Sequence, residues 1–356
     1  MRSNFLLGLA LLVLPLSAQT DVNRYNPGVT PEGVTYFLPR TDLKIEVEVE
    51  RTTTYPGDFN AYAERYLRLK NVTKEKGNTW MIKSVKVLSF GVPDTSKCYT
   101  IMLKQKTVAP FVSLTKDGLL LSINTETKET PSIDKPQTVL KETFKLDSRK
   151  YLTEEILSAG STTKMAELTA TEIYDIRESK SLLAKGQADY MPKDGDQLKL
   201  MLKELDEQEN ALTQLFAGWQ EKEKRTFSLT YSPTKNVDKD VLFRLSKQLG
   251  IVDSDDLAGA PIYISIKNLE TLPSSVPLDP KAKKKAENEV RYMVPSKVLV
   301  TIMSSTQEFC NMTIPMAQFG NVETLGGDLF NKKATTKVQF YTETGGIKNI
   351  DAEQPK

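Results

Sequence analysis

An α+β fold is what this sequence predicts: two mostly antiparallel β-rich modules, duplicated in outline, bridged by a long helical hairpin. Three observations predict it. Apolar and acidic side chains alternate over residues 43–50, the period of a strand with one buried face. Between residues 164 and 219 the apolar period becomes helical, and strand character then returns up to residue 350. Short phrases of the first β-rich part recur in the last, so strands and helices are segregated along the chain. The expected division is a signal segment at 1–18, a first β-rich module at 19–150, a helical hairpin at 151–222 and a second β-rich module at 223–356.

Arg2 precedes an apolar run over residues 5–16, and Ser17-Ala18 offer small side chains to a peptidase. The run is shorter than a bilayer-spanning helix requires, so the segment reads as a removed secretory signal. The mature chain is expected to begin near Gln19 or Thr20, with the exact bond open because Leu16 matches the small-residue rule poorly. No cysteine stands at the cut to accept a lipid, and the strongest later apolar run, residues 298–303, is only of strand length. A periplasmic or extracellular protein without a transmembrane segment is the expectation.

Further strands are expected at 81–90, at 98–103 and in a hairpin over 111–123 turned by Asp117-Gly118. Tyr62, Tyr66 and Leu69 share one side of a short helix, where packing into a core is a plainer reading than stacking on a sugar. Residues 125–150 form a polar connection with room for an edge strand. A helix over 164–185 stops at Gly186, and a second over 196–219 carries Leu198 to Trp219 on one stripe. The opposite side of that helix holds Lys203, Glu204, Glu207 and Glu209, expected to be solvated. Residues 273–285 read as a loop rich in lysine.

Charge excludes broad classes of partner. With 48 Lys+Arg against 46 Asp+Glu, a net +2 argues against capture of nucleic acid or anionic lipid. Histidine is absent, which removes Ser-His-Asp and Cys-His nucleophile activation and every imidazole-ligated metal site. Cys98 and Cys310 remain as a candidate disulfide in an oxidising compartment, or as two small buried apolar residues.

Local motifs have structural explanations beside their chemical ones. Asp253-Ser254-Asp255-Asp256 gathers hard oxygen ligands but lacks the terminal glutamate of a calcium loop, so an acidic turn explains it. Asp194-Gly195-Asp196 supplies a helix cap. Ser161-Thr162-Thr163-Lys164 matches a Ser-x-x-Lys nucleophile pattern at a helix mouth, where serine is an ordinary cap. Asn71-Val72-Thr73 matches a glycosylation acceptor and marks an exposed turn. No catalytic, cofactor-binding or metal-ligating residue is singled out, and no cofactor is expected.

The repeated phrases are Val34-Thr35-Tyr36-Phe37-Leu38-Pro39 with Val290-Arg291-Tyr292-Met293-Val294-Pro295, Gly91-Val92-Pro93-Asp94 with Gly250-Ile251-Val252-Asp253, and Ala109-Pro110-Phe111 with Ala317-Gln318-Phe319. Hairpins with turn glycines, at Gly118 and at Gly345-Gly346, follow in both parts.

Ile173-Tyr174-Asp175-Ile176-Arg177-Glu178, Lys185-Gly186, Met191-Pro192-Lys193-Asp194-Gly195 and Leu215-Phe216-Ala217-Gly218, with the Tyr-x-x-Pro opening and Ala317-Gln318-Phe319-Gly320, resemble a family of exported Bacteroidetes proteins, domain of unknown function 4831. The resemblance spans most of the mature chain. It implies an envelope or extracellular protein of that phylum and brings no activity, substrate or catalytic residue. The functional expectation is therefore a noncatalytic envelope protein that binds or scaffolds a partner protein or glycan. The competing one is an exported glycan hydrolase using paired carboxylates.

Overall fold

A computed structural model describes residues 21–25, 33–102, 111–128, 139–273, 289–326 and 335–353. The signal segment at 1–18, the lysines at 281–285 and Ala109-Pro110 lie outside the described residues. The architecture is α+β with antiparallel sheets. In chain order the elements are β1 (Asp21–Arg24), β2 (Gly33–Tyr55), α1 (Ala63–Leu67), β3 (Gly77–Met102), β4 (Val112–Leu114), β5 (Leu120–Ile123), β6 (Leu140–Thr143), α2 (Glu154–Leu157), α3 (Thr162–Lys185), α4 (Gly195–Ala217), β7 (Trp219–Tyr231), β8 (Val237–Ser246), β9 (Gly250–Val252), β10 (Ala260–Asn268), β11 (Val290–Met303), β12 (Glu308–Leu325), β13 (Thr335–Phe340) and β14 (Ile347–Glu353).

Strand order is β1-β3-β2-β7-β6 in the first sheet, β12-β11-β10-β8-β9 in the second and β14-β13-β5-β4 in the third. The alternation at 43–50 aims Leu43, Ile45, Val47 and Val49 at Ile264, Ile266, Val300 and Ile302 of the second sheet, closing the largest core between the two sheets. Beyond this core the long strands continue. Tyr36 and Leu38 of β2 join Met293 and Leu325 of the β11-β12 pair and Val338 and Phe340 of β13 in a second core. The boundary expected at residue 222 falls inside β7, and the third sheet joins β4 and β5 to β13 and β14. The two β-rich segments therefore share sheets, because the apolar faces of Ile123 and Val338 cover one another across the β5-β13 pair.

Where two separate strands were expected over 81–90 and 98–103, β3 runs unbroken through Pro93. A change of register makes this feasible: two steps along β2, Phe37 to Pro39, span five along β3, Cys98 to Pro93. In such a break the ladder makes no demand on the amide that proline lacks. The same offset recurs where Val294 to Ser296 of β11 spans Asn321 to Met316 of β12, beside Pro295. Phe37 N donates to Gly118 O at 2.9 Å, and Met293 N donates to Gly345 O at 3.0 Å, so each kink takes a turn glycine from a hairpin. The other repeated phrase behaves differently. Gly91 lies within β3, paired with Thr41 of β2, whereas Gly250 opens the edge strand β9.

Tyr36 ties the two β-rich segments together. It is fully buried, and its hydroxyl donates to Arg291 O at 3.2 Å while accepting from Arg291 N at 3.0 Å. Burial pushes this phenol far above its ordinary range. Tyr36→Phe is expected to lose about 1–3 kcal/mol, because both backbone groups of Arg291 are left without that partner. Urea unfolding of the variant at pH 7 measures this, and an unchanged midpoint would reject the tie.

The helical layer packs Ala166, Ala170 and Ile173 of α3 and Leu212 and Phe216 of α4 on Phe59 and Leu67. Ser161 and Asp194 accept from Lys164 N and Gln197 N as N-caps, and Gly186 ends α3 in the left-handed region. Arg177 binds Glu209 at 2.6 Å and Lys180 binds Asp206 at 2.6 Å, so the helices run antiparallel. Glu209 is thus not solvated as its sequence position suggests. Burial would raise its pKa, but the ion-paired hydrogen bonds of Lys180 and Arg177 outweigh this and hold it below its ordinary value. Tyr62 and Tyr66 pack against this core rather than forming a platform. Among the described residues no helix is long and apolar enough to cross a membrane.

Candidate functional site

Most of the motifs that carried chemical suggestions resolve into local structure. Lys164 pairs with Glu167 at 3.0 Å while Ser161 caps the helix, so the two do not form a nucleophile and base. In the acidic turn Asp256 accepts from Ala258 N at 2.9 Å and Arg244 donates to Ser254 O at 2.8 Å. Among the described residues no group of three Cys, Asp or Glu side chains is arranged to hold a metal ion. The disulfide considered for Cys98 and Cys310 is not formed; both are free thiols. The reason is placement: Cys98 stands opposite Phe37, next to the register break, whereas Cys310 stands opposite Ile302 and packs on the main core. Burial raises both thiols above their ordinary value.

The site that does emerge lies where β2 and β7 meet the helices. Tyr55 ends β2, Trp219 opens β7, and the two stand opposite one another in register. Their rings stack at 4.0 Å between centroids with an interplanar angle of 8°. Aromatic pairs at directly opposed positions of an antiparallel pair stabilise the sheet. The end of α4 adjoins the stack: Phe59 N donates to Leu215 O at 2.6 Å, and Gly218 N donates to Gln214 O at 2.9 Å.

Trp219 borders two clefts. One, of about 990 Å³, also has Leu152, Met165 and Leu215 in its wall, with Asp58, Asp147 and Arg149. The other, of about 440 Å³, has Phe144, Thr54 and Lys222. Gln214 faces both. Its amide donates to Phe144 O at 2.7 Å and accepts from Leu146 N at 2.9 Å, which pins the segment carrying Lys145. Lys145 Nζ then lies 5.4 Å from the Trp219 ring centre, Lys76 Nζ 4.8 Å from that of Tyr55 and Lys222 Nζ 5.7 Å from that of Phe144. Tyr55 lines neither cleft, so it backs the indole while Trp219 remains at the wall of both.

Toward the main core the same face of the first sheet carries buried charge. Glu223 of β7 is held by Arg51 of β2 and by Arg225, and both guanidiniums lie over Trp80, at 5.6 and 5.8 Å from its ring centre. Burial alone would raise Glu223; the hydrogen bond from Arg225 and the charge of Arg51 prevail and hold it below its ordinary value.

A third cleft of about 740 Å³ opens beside the second proline kink, between Tyr292, Pro295, Pro315, Tyr341 and Ile347. Its lining has Glu343 but no cation, unlike the Trp219 clefts. Burial, then the charge and hydrogen bond of Glu323, push the Tyr292 phenol up to about 12.

Helical periodicity alone puts Trp219 on the α4 stripe and gives no signal for Tyr55, Lys145 or Gln214. The helix in fact ends at Ala217. Gly218, next to the last periodic residue, was the signal that would have released Trp219 from the helix.

Comparison with known proteins adds one match. A family model described as Domain of unknown function (DUF4831) matches residues 32–348. No curated protein and no solved structure matches the chain.

Proposed function

The chain belongs to the DUF4831 family, which has no assigned activity, and on that premise we propose that it is an exported, noncatalytic envelope protein that binds a glycan at Trp219. One observation carries the reading: an indole backed by Tyr55 at 4.0 Å forms part of the wall of two clefts lined by amide, carboxylate and cationic side chains. Sugar rings present apolar C–H faces that an aromatic plane accepts, and hydroxyls that Gln214, Asp58 and Asp147 are placed to bind. Export rests on the segment 1–18, and a mature chain recovered from the cell envelope would begin near Gln19 or Thr20.

The test is direct because the chain has only two tryptophans and Trp80 is buried. Envelope oligosaccharides should change tryptophan fluorescence on titration. Trp219→Ala removes the reporter and is followed by titration calorimetry beside the parent; it should weaken binding about 30-fold, the effect of removing a central aromatic anchor worth about 2 kcal/mol. Equal affinity of variant and parent would reject the site.

A hydrolytic reading has one observation behind it, that Asp58 and Asp147 line the same cleft. Following the same titrations for reducing ends decides between the two readings. Release of product would replace the noncatalytic reading; intact sugar after prolonged incubation would remove the hydrolytic one.

The two β-rich segments are, in our reading, diverged copies of one unit. The equal register offsets beside Pro39 and Pro295, and the matched bonds to Gly118 and Gly345, support this. A crystal structure in which the two kinked hairpins failed to superpose would reject common descent.

A further inference from the structure

We infer that the sugar bound at Trp219 is acidic, a saccharide whose rings carry carboxylate or sulfate; this rests on the glycan reading above. Four cations surround the stack: Lys76, Lys145, Arg149 and Lys222. None of them forms an ion pair with a described carboxylate, so their charge is available to an anion. Three of the four instead lie over aromatic rings. A cation over a ring face keeps most of its attraction for an anion, so Lys145 is held at the indole on which a sugar would stack, Lys222 at Phe144 in the wall of the smaller cleft, and Lys76 behind them at Tyr55.

Opposing charge is present but smaller. Asp58 and Asp147 are the carboxylates lining the larger cleft, and neither is ion-paired with a described cation. Across the two clefts that share Trp219, three lining cations, Lys145, Arg149 and Lys222, stand against two lining carboxylates, and the smaller cleft has Lys222 and no carboxylate in its wall. Carboxylates are also the acceptors that sugar hydroxyls require, so the set divides by role. The acids and Gln214 face hydroxyls, Trp219 faces the C–H surface, and Lys145, Arg149 and Lys222 face the anion. Lys145 is exposed on a flexible stem and would swing from the indole to the bound acid as the ring replaces it. A neutral sugar would leave this charge unanswered, and a polyanion without rings would leave the indole unused.

The probes are three oligosaccharides of matched length, one neutral, one of uronic acid and one sulfated, titrated into the full mature chain with tryptophan fluorescence as the signal. In low salt at least one acidic sugar should bind about tenfold tighter than the neutral one, as expected from a few exposed charge contacts. The advantage should shrink in 0.5 M salt. The uronic and sulfated arms tell which acid is preferred. Lys145→Ala and Lys222→Ala, both at exposed or half-exposed positions and checked for an intact fold by circular dichroism, should weaken acidic-sugar binding more than neutral-sugar binding and so reduce the advantage. Neutral and acidic sugars bound equally, with no response to salt, would overturn the acidic assignment and leave the glycan site standing. An inorganic polyphosphate that outcompetes every sugar would also overturn it. Absence of any sugar response would overturn both readings together.

Discussion

Gly218→Ala is expected to remove at least about 3 kcal/mol of stability, and with it the Tyr55–Trp219 stack. The glycine sits at φ 83° and ψ −173°, a backbone region open essentially to glycine alone. An added Cβ would also collide with the carbonyl oxygen of Tyr55, a backbone atom held by the β2-β7 ladder that cannot turn aside. Strain of about 1–3 kcal/mol for the dihedral, plus the clash, gives the total. For a chain of this size the loss corresponds to a fall in Tm of about 4 °C or more. Gly195→Ala is the control: it stands at the first position of α4 with open space around its Cβ, and should change stability by less than about 0.5 kcal/mol. Calorimetry of the two variants, with near-ultraviolet circular dichroism to follow the stacked indole, measures both effects. A Gly218→Ala variant within 1 °C of the parent would show that the helix-to-strand junction has room that the structure denies it.

At that junction the periodic pattern and the backbone part company, and the cause is physical. Leu212, Leu215, Phe216 and Trp219 continue one helical period, so periodicity extends α4 by two residues past its end; only the backbone demand at Gly218 breaks the pattern. The alternation from Leu43 to Val49 was legible because one face of β2 meets the main core and the other does not. Its full extent from Gly33 to Tyr55 was not, because Pro39 reads as a boundary until the register break beside it is known. The caps at Ser161 and Asp194 were legible since they are local chemistry. Glu209 was not, since its partners Arg177 and Lys180 lie one helix away, and the pairing of β5 with β13 joins residues more than two hundred positions apart. The candidate site belongs to this nonlocal class: Tyr55, Lys145 and Trp219 converge only after β2, β7 and the segment after β6 have assembled.

The strand that leads away from Trp219 carries the buried Glu223 further on, held by Arg51 and Arg225. Removing this carboxylate as Glu223→Ala would leave the guanidiniums of Arg51 and Arg225 without their shared partner, beside Trp80. Breaking a fully buried pair from one side costs about 3–5 kcal/mol; here Arg51 and Arg225 are partly exposed and can rehydrate, so about 2–3 kcal/mol is expected. The pH dependence has a definite sign. Because Glu223 is held below its ordinary value of 4.5, its contribution is complete above that value and is lost as pH falls below 4.5 through the lowered folded pKa. Glu209 and Asp94 are lowered as well and titrate in the same acid range, so the parent curve alone cannot assign the loss. The difference between the parent and Glu223→Gln can, since glutamine keeps the shape and the acceptor but carries no charge. Urea unfolding at pH 7 should find Glu223→Gln less stable than the parent, and the gap should narrow toward pH 3 as the parent carboxylate is protonated. A gap that stayed constant across that range would mean that the two arginines bind the Glu223 side chain through its shape, with its charge contributing nothing.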